Sequence, residues 1–388
     1  MNVELPMCLM DWINTDKINW NWLSKNPSEG AIRLLEKNPD KINWYMLSKN
    51  TSEDAMCLLE KNPDKIDWNE LSYNNSEGAM RLLEKNPDKI NWDWLSYNTS
   101  AMQLLEKNPD KIKWRNLSLN PSAIHLLEKN PDKINWRMLS ANPSAINLLE
   151  KNQDKIYWYN LSGNSSAIHL LEKNQDKILW SWLSCNKSAI HLLEKNQDKI
   201  HWYWFSRNPS AMHLLEKNQD KISWQMLSEN PSEGAMQLLE KNQDKINWYR
   251  LSKNPSAINL VEKNPNKIDW DHLSCNKSAV HILEKNQDKI DWDYLSCNKS
   301  AVHILEKNQD KIDWNHLSCN KSKCAIQLLE KNQNKISWEN LSYNPYIFKY
   351  DYQNMKLNCM LFKEDLMNNR FHPCNIFKFK DWGVNGFD

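Results

Sequence analysis

Glycine is scarce in this chain, whose 388 residues include 6 glycines against 21 tryptophans. Few backbone positions can therefore adopt the positive φ angles of phosphate-cradling loops and strained active-site turns, which disfavours an enzyme. Lys and Arg total 50 and Asp and Glu total 49, so the net charge of +1 provides no long-range field for nucleic acid or an acidic membrane. We expect a neutral or locally matched partner.

A long apolar run is also missing. No stretch approaches the ~20 apolar residues of a membrane span, and the first twenty residues lack the basic and apolar regions of a secretion signal. We therefore expect a protein that is not secreted and has no membrane partner. Cysteines 275, 297 and 319 recur at one repeat position. Because helices of successive repeats should lie ~8–10 Å apart, beyond the ~7 Å Cα limit of a disulfide, we expect free thiols.

Tryptophan marks an internal repeat with a period of 22 or 24 residues, which is typical of a solenoid. The chain contains fifteen units. Their periodic tryptophans are Trp20, Trp44, Trp68, Trp92, Trp114, Trp136, Trp158, Trp180, Trp202, Trp224, Trp248, Trp270, Trp292, Trp314 and Trp338. The six evenly spaced members Trp114, Trp136, Trp158, Trp180, Trp202 and Trp224 are predicted to form the structural core of the repeats.

Each unit is predicted to contain two short helices. In the unit that starts at Asn120, that residue and Pro121 suit the beginning of a first helix with a broad apolar stripe. Asn130 is expected to end this helix in a left-handed conformation. The second helix should begin at Trp136, because the residue before the periodic Trp is Asn, Asp or Ser in 11 of 15 units.

The predicted fold is all-α, an α-solenoid of about fifteen two-helix repeats of 22–24 residues with a C-terminal cap. The repeats should fill residues 1–345, with residues 7–24 as a degenerate capping repeat whose first helix covers residues 7–15. Residues 346–388, rich in aromatic side chains, are expected to fold over the last repeat. Fifteen units that advance ~10 Å each would make a curved rod ~150 Å long.

The residues after the periodic Trp vary from unit to unit and predict a partner-binding strip. Large aromatic side chains are favoured as interface anchors. The candidate anchors are Trp22, Trp94, Trp182, Tyr203, Trp204, Tyr249 and Tyr294. Alternatively, some of these rings fill the groove between helices. Toward the C-terminus the strip becomes polar and acidic, with Asp271, Asp293, Asn315 and Glu339, and such a two-part surface would suit an extended protein.

The sequence contains few candidates for a metal-binding or catalytic site. Six histidines share one repeat position on a solvated face, and two His-x-x-Cys pairs, His272 with Cys275 and His316 with Cys319, fall short of the four ligands of a zinc site. An enzyme whose site lies in the tail around His372 and Asp381 is a second alternative, but one histidine and a few acids are also typical of an ordinary surface. We predict no catalytic residue, no metal, no cofactor and no small-molecule substrate.

Copies of the type LLEKNPDKINWxxLSxNPSAI, followed by a tail with Asp351, Phe371 to Pro373 and Asp381 to Gly383, resemble tandem-repeat proteins of giant DNA viruses across the whole chain. The resemblance implies a viral origin, a place in the host cytoplasm or virion and a role in interactions. The function expected is protein binding or scaffolding without catalysis. An array that binds single-stranded RNA is the alternative, although the balanced charge makes nucleic acid a less favoured partner.

Overall fold

The computed structural model describes residues 7–365 and confirms the all-α repeat solenoid. Every unit has a helix that begins at its periodic tryptophan, as predicted, and we call these the Trp helices. Their bounds are Trp20–Lys25, Trp44–Ser48, Trp68–Tyr73, Trp92–Tyr97, Trp114–Leu117, Trp136–Ala141, Trp158–Ser162, Trp180–Leu183, Trp202–Phe205, Trp224–Leu227, Trp248–Lys253, Trp270–Ser274, Trp292–Cys297, Trp314–Cys319 and Trp338–Ser342.

The helix with the apolar stripe, predicted as the first of each unit, carries the Leu-Leu pair or its Leu-Val and Ile-Leu variants, and we call the fourteen described copies the Leu-Leu helices. Within residues 7–365 they are Glu29–Glu36, Glu53–Glu60, Glu77–Lys85, Met102–Lys107, Ile124–Lys129, Ile146–Glu150, Ile168–Lys173, Ile190–Lys195, Met212–Lys217, Glu233–Lys241, Ile258–Glu262, Val280–Lys285, Val302–Lys307 and Lys323–Lys331. Short 3₁₀ turns such as Pro131–Lys133 connect the two layers. The Leu, Ile and Ala side chains between the layers form one continuous core.

Side-chain caps fix where the Trp helices begin. The Asn or Asp before the periodic Trp accepts a backbone N–H of the first turn in nine units. Asn120 likewise accepts the N–H of Ser122 at the start of the other layer. The conformation expected of Asn130 is wrong, because its φ is −132° rather than positive, and its side-chain amide ends the helix by donating to the Leu126 carbonyl over 2.9 Å.

The two ends of the solenoid meet, so the fifteen repeats form a closed ring. The first Trp helix packs against the fifteenth as successive Trp helices pack elsewhere. The backbone N–H of Asn19 donates to the Ser342 hydroxyl over 2.8 Å. In the next interface the backbone N–H of Asn43 donates to the Ser24 hydroxyl over 3.0 Å. The expectation of an open rod is therefore wrong, and we call the interface between the first and fifteenth repeats the seam.

Two buried polar residues repeat this interface around the whole ring. In all fifteen units the Ser of the Trp helix accepts the backbone N–H that precedes the next periodic Trp, over 2.8–3.1 Å. The Asn two positions further donates its side-chain amide to carbonyl oxygens of the preceding unit. This polar ladder fixes the register of each repeat on the next, because its buried groups need these partners.

A pair of strands completes the outer layer at the seam. Met7–Leu9 pairs antiparallel with Phe348–Tyr350, with Cys8 opposite Lys349. The predicted degenerate helix over residues 7–15 is therefore wrong at its start, because the apolar run there finds a distant strand as its partner. From Asn14 the chain follows the repeat pattern, with a 3₁₀ turn and the buried Ile18.

The end face of the last repeat packs against the first repeat. In the predicted cap, Ile347 and Phe348 are buried, and Phe348 lies against Gly30 of the first Leu-Leu helix. The helix Tyr352–Asp365 that follows exposes Tyr352, Leu357 and Met360. Residues 366–388 of the predicted cap lie outside the described residues.

Candidate binding surface on the inner wall

The spacing of the two layers decides which one faces the centre of the ring. The inner layer of a closed ring must have the shorter spacing, and Cα atoms of successive Trp helices come within 8 Å of one another more extensively than those of successive Leu-Leu helices. Short side chains bridge the Trp helices, as when the Asn116 amide donates to the Asp93 carbonyl over 3.0 Å. The Trp helices therefore form the inner wall.

Long side chains bridge the outer wall instead. Lys61 contacts Glu36 of the preceding unit over 2.9 Å, and His303 contacts Glu284 over 2.6 Å. All six histidines of the shared repeat position contact a Glu of the preceding unit in this way, namely His125, His169, His191, His213, His281 and His303. Their position thus serves contacts between repeats.

The opening can be estimated from helix geometry. Fifteen helices ~8–10 Å apart give an inner circumference of ~120–150 Å, hence a radius of ~19–24 Å at the helix axes. A helix with its side chains has a radius of ~5–6 Å, which leaves an opening roughly 30 Å across. Such an opening is wide enough for a single helix, a small helical bundle or several extended chains.

The periodic tryptophans lie beside the core rather than within it. All six of the predicted core residues Trp114, Trp136, Trp158, Trp180, Trp202 and Trp224 are half-buried and pack against it. A lysine of the next repeat lies over each of these rings, as Lys199 does 4.8 Å from the centroid of Trp180. At the seam Lys17 lies over Trp338 at 5.6 Å, which continues this arrangement around the ring.

Counted from the periodic Trp as the first, the second, third and sixth residues of each unit point away from the buried Leu and Ser, because they lie ~100–200° around the helix from the Trp at 100° per residue. They line the opening. Between residues 20 and 344, eleven large apolar side chains are exposed, and ten of them occupy these three positions. The ten are Tyr45, Tyr73, Trp94, Leu119, Tyr159, Trp182, Tyr203, Trp204, Tyr249 and Tyr294.

Six of the seven predicted anchors are exposed on this wall: Trp94, Trp182, Tyr203, Trp204, Tyr249 and Tyr294. Trp22, the seventh, is half-buried at the seam. Its ring lies 6.0 Å from that of Tyr343, and its indole N–H donates to Glu339 over 3.4 Å. Trp22 therefore contributes to closure.

The exposed rings form local clusters across neighbouring repeats. Trp182 lies 5.8 Å from Tyr159, and Trp204 lies 5.0 Å from Tyr203. Tyr159 and His272 were not predicted as members of this surface from the sequence. Their clusters become visible only when neighbouring copies of the repeat are superposed. His272 lies 4.0 Å from Tyr249 and 6.1 Å from Tyr294.

Charge is divided along the inner wall. Exposed basic residues lie in the fifth, sixth, ninth and eleventh units, at Arg115, Arg137, Arg207 and Lys253. Exposed polar and acidic residues follow toward the C-terminus, at the four positions predicted from the sequence: Asp271, Asp293, Asn315 and Glu339. The wall thus offers a basic arc and an acidic arc to one occupant.

Two neighbouring thiols share the acidic arc. Cys297 and Cys319 are free and exposed, as expected. The reason given from the sequence is incomplete, because on the closely spaced inner layer the two thiols influence each other. A hydrogen bond with Cys297 lowers the pKa of Cys319 to about 6, and the same contact raises the pKa of Cys297.

Among residues 7–365, no group of three or more His, Cys, Asp or Glu side chains is arranged to hold a metal ion. His272 instead contacts Asp269 over 2.9 Å, and the Cys275 thiol donates to the His272 carbonyl. No helix in this part of the chain is long and apolar enough to cross a membrane. The predicted tail residues His372 and Asp381 lie outside the described residues.

No protein-family model matches the chain, and neither a curated protein nor a solved structure matches it.

Proposed function

We propose that this chain is a non-enzymatic binding ring, a scaffold whose inner wall holds an elongated segment of a protein partner. The observation that carries the proposal is the concentration of exposed aromatic side chains on the inner wall. Tyr and Trp rings are favoured anchors at protein interfaces, because they bury much area at a low cost in conformational entropy. The outer wall instead carries a repeated set of ion pairs between units.

The two charged arcs favour a protein occupant over a nucleic acid. A polyanion requires excess positive charge along its whole path, whereas Asp271, Asp293 and Glu339 place negative charge in three of the last four units of the inner wall. A protein segment can present acidic groups to one arc and basic groups to the other. Charge complementarity of this kind sets orientation and specificity.

The resemblance to giant-virus repeat proteins extends this proposal to the host cytoplasm or the virion. The experiment places the photo-reactive amino acid p-benzoylphenylalanine at Tyr203 on the inner wall or, as control, at the exposed Gln103 on the outer wall. Irradiation in an extract of infected cells should cross-link a protein from Tyr203 and not from Gln103. The product should survive nuclease treatment.

A second variant tests whether the exposed rings hold that partner. Trp182→Ala combined with Trp204→Ala should weaken the cross-link from Tyr203 while the melting temperature changes little, since both rings are 41–50% exposed. Equal cross-linking from both walls would contradict the proposal. Loss of the product after nuclease treatment would indicate the RNA-binding array instead.

A further inference from the structure

A groove of about 480 Å³ crosses the C-terminal ends of the first four Trp helices, at the edge of the inner wall. We call it the rim groove. Its lining includes Lys25, Thr51, Tyr73, Asn75, Tyr97 and Thr99.

Two positions that line the rim groove depart from the repeat pattern, and both do so in the third and fourth units. The residue after the ladder Asn is Thr51, Asn75 and Thr99 in the second to fourth units, whereas it is Pro, Lys or Ser in the other twelve. The last position of the Trp helix is Tyr73 and Tyr97 in the third and fourth units, and Tyr recurs there at the seam alone. Folding needs neither change, since the other units fold without them.

Neighbouring aromatic contacts hold the two tyrosines in place. The ring of Tyr73 lies 5.5 Å from Trp94 at an interplanar angle of 77°, and Trp94 lies 6.4 Å from Tyr97. Tyr73 nevertheless remains 61% exposed. The groove therefore presents two braced rings one repeat apart.

The spacing of the repeats that carry these rings matches the length of one turn of a polyproline II helix, which is extended and left-handed. Successive helices of the ring lie ~8–10 Å apart, and one turn of a polyproline II helix, three residues of ~3.1 Å rise, spans about 9.3 Å. Polyproline II also has no internal hydrogen bonds, so its carbonyl oxygens need donors from the receptor. Thr51, Asn75 and Thr99 supply polar side chains to the lining of the same groove.

We propose that the rim groove binds a proline-rich segment of the protein partner in the polyproline II conformation, with prolines against Tyr73 and Tyr97. Aromatic-lined grooves recognise such segments because the ligand is ordered before it binds. Lys25 lies at the other end of the groove and favours an acidic residue beside the prolines. Glu70, which also lines the groove, lies 3.4 Å from Lys49. This ion pair offsets the negative charge of Glu70. The inference rests on the proposed protein-binding function and names the partner's chemistry.

The test uses the full chain and a fluorescently labelled decaproline with one terminal glutamate. Fluorescence anisotropy should show saturable binding. Tyr73→Ala combined with Tyr97→Ala should weaken it at least about ten-fold. Tyr159→Ala is the matched control, because this inner-wall tyrosine is 58% exposed and lies outside the groove. A decapeptide of Gly and Ser with the same glutamate should bind at least about ten-fold more weakly, since it is not preordered.

The inference is overturned if decaproline does not bind, if it binds no better than the Gly-Ser peptide, or if Tyr159→Ala weakens it as much as the double variant. Binding of decathymidylate that is lost with Tyr73 and Tyr97, without binding of decaproline, overturns it in favour of single-stranded nucleic acid. The cross-link from Tyr203 is read separately. Failure of decaproline with that cross-link intact removes the rim-groove inference and leaves the binding ring.

Discussion

Closure at the seam can be tested with one added methyl group. Gly30 is the second residue of the first Leu-Leu helix, and a Cβ there would lie 2.4 Å from Cδ1 of Phe348, across the seam. Gly78 occupies the same Ser-Glu-Gly-Ala motif inside the ring, where a Cβ would lie 2.5 Å from Cγ of Met56. Gly30→Ala and Gly78→Ala therefore introduce similar crowding at the seam and at an internal interface.

The size of the effect follows from two opposing contributions. Overpacking of this kind costs ~1–3 kcal/mol, and Ala in place of Gly within a helix stabilises by up to ~1 kcal/mol. Contacts as short as 2.4–2.5 Å place the overpacking cost in the upper part of that range, ~2–3 kcal/mol. The net cost is then about 1–2 kcal/mol at each interface, which corresponds to a factor of about 5–30 in an equilibrium constant. The internal interface stays together because the chain runs through it, whereas the seam has only non-covalent contacts.

Hydrogen exchange read by mass spectrometry reports the seam directly. The amide of Met10 donates to the Ile347 carbonyl over 3.0 Å, and the strands Met7–Leu9 and Phe348–Tyr350 exchange backbone hydrogen bonds. Gly30→Ala should speed exchange of these amides about 5–30-fold, because they exchange when the seam opens. Gly78→Ala should leave the seam amides unchanged.

Equal behaviour of the two variants would refute this reasoning. If both speed exchange at the seam alike, the ring opens everywhere at once and the seam is not its weak interface. If neither does, Phe348 moves aside without loss of closure. Small-angle scattering provides an independent check, since an opened ring has a larger radius of gyration.

Three further predictions follow from individual contacts. Trp180→Ala should lower the free energy of unfolding by ~2 kcal/mol, about half the cost for a buried Trp, whereas Trp182→Ala should lower it by less than ~1 kcal/mol in urea melts, because that ring is 50% exposed. Cys319 should react with iodoacetamide at pH 7 faster than Cys185, because burial raises the pKa of Cys185. The rate of reaction at Cys319 should rise as the pH passes about 6, the pKa of this thiol. Cys297→Ala should abolish the advantage of Cys319. Deletion of residues 123–144, one complete unit, should leave a folded ring of fourteen with protected seam amides, because closure then needs only ~2° more rotation at each interface, within the ~15–20° scatter of helix crossing angles.

Local structure could be predicted from the repeats themselves. Fifteen copies show which positions stay constant, and Asn or Asp before the Trp indicates the start of a helix by its own capping chemistry. The apolar stripe likewise places Leu126 and Leu127 in the core. The variable positions separated the exposed Trp182 and Trp204 from the half-buried Trp180 and Trp202.

Closure could not be predicted, because it depends on a sum of small angles. Fifteen equal steps close a ring at about 24° each, and an error of ~2° per repeat accumulates to ~30° over the chain. At a radius near 20 Å that error opens a gap of about one helix spacing. The strand Met7–Leu9 escaped prediction for a related reason, since its partner Phe348–Tyr350 is more than 330 residues away in the sequence.

Closure also explains why function should concentrate on the inner wall. Every interface uses the same buried Ser and Asn, and most add a lysine above the periodic Trp and long side chains on the outer wall. The buried Ser and Asn are the same in all fifteen units, because a change there would alter the step angle on which closure depends. The second, third and sixth residues of each unit, counted from the periodic Trp, take little part in the core, so they can differ in each unit at small cost to the fold. Fifteen copies around one opening then give a continuous surface whose chemistry changes from unit to unit, which is the property needed to recognise one elongated partner in one orientation.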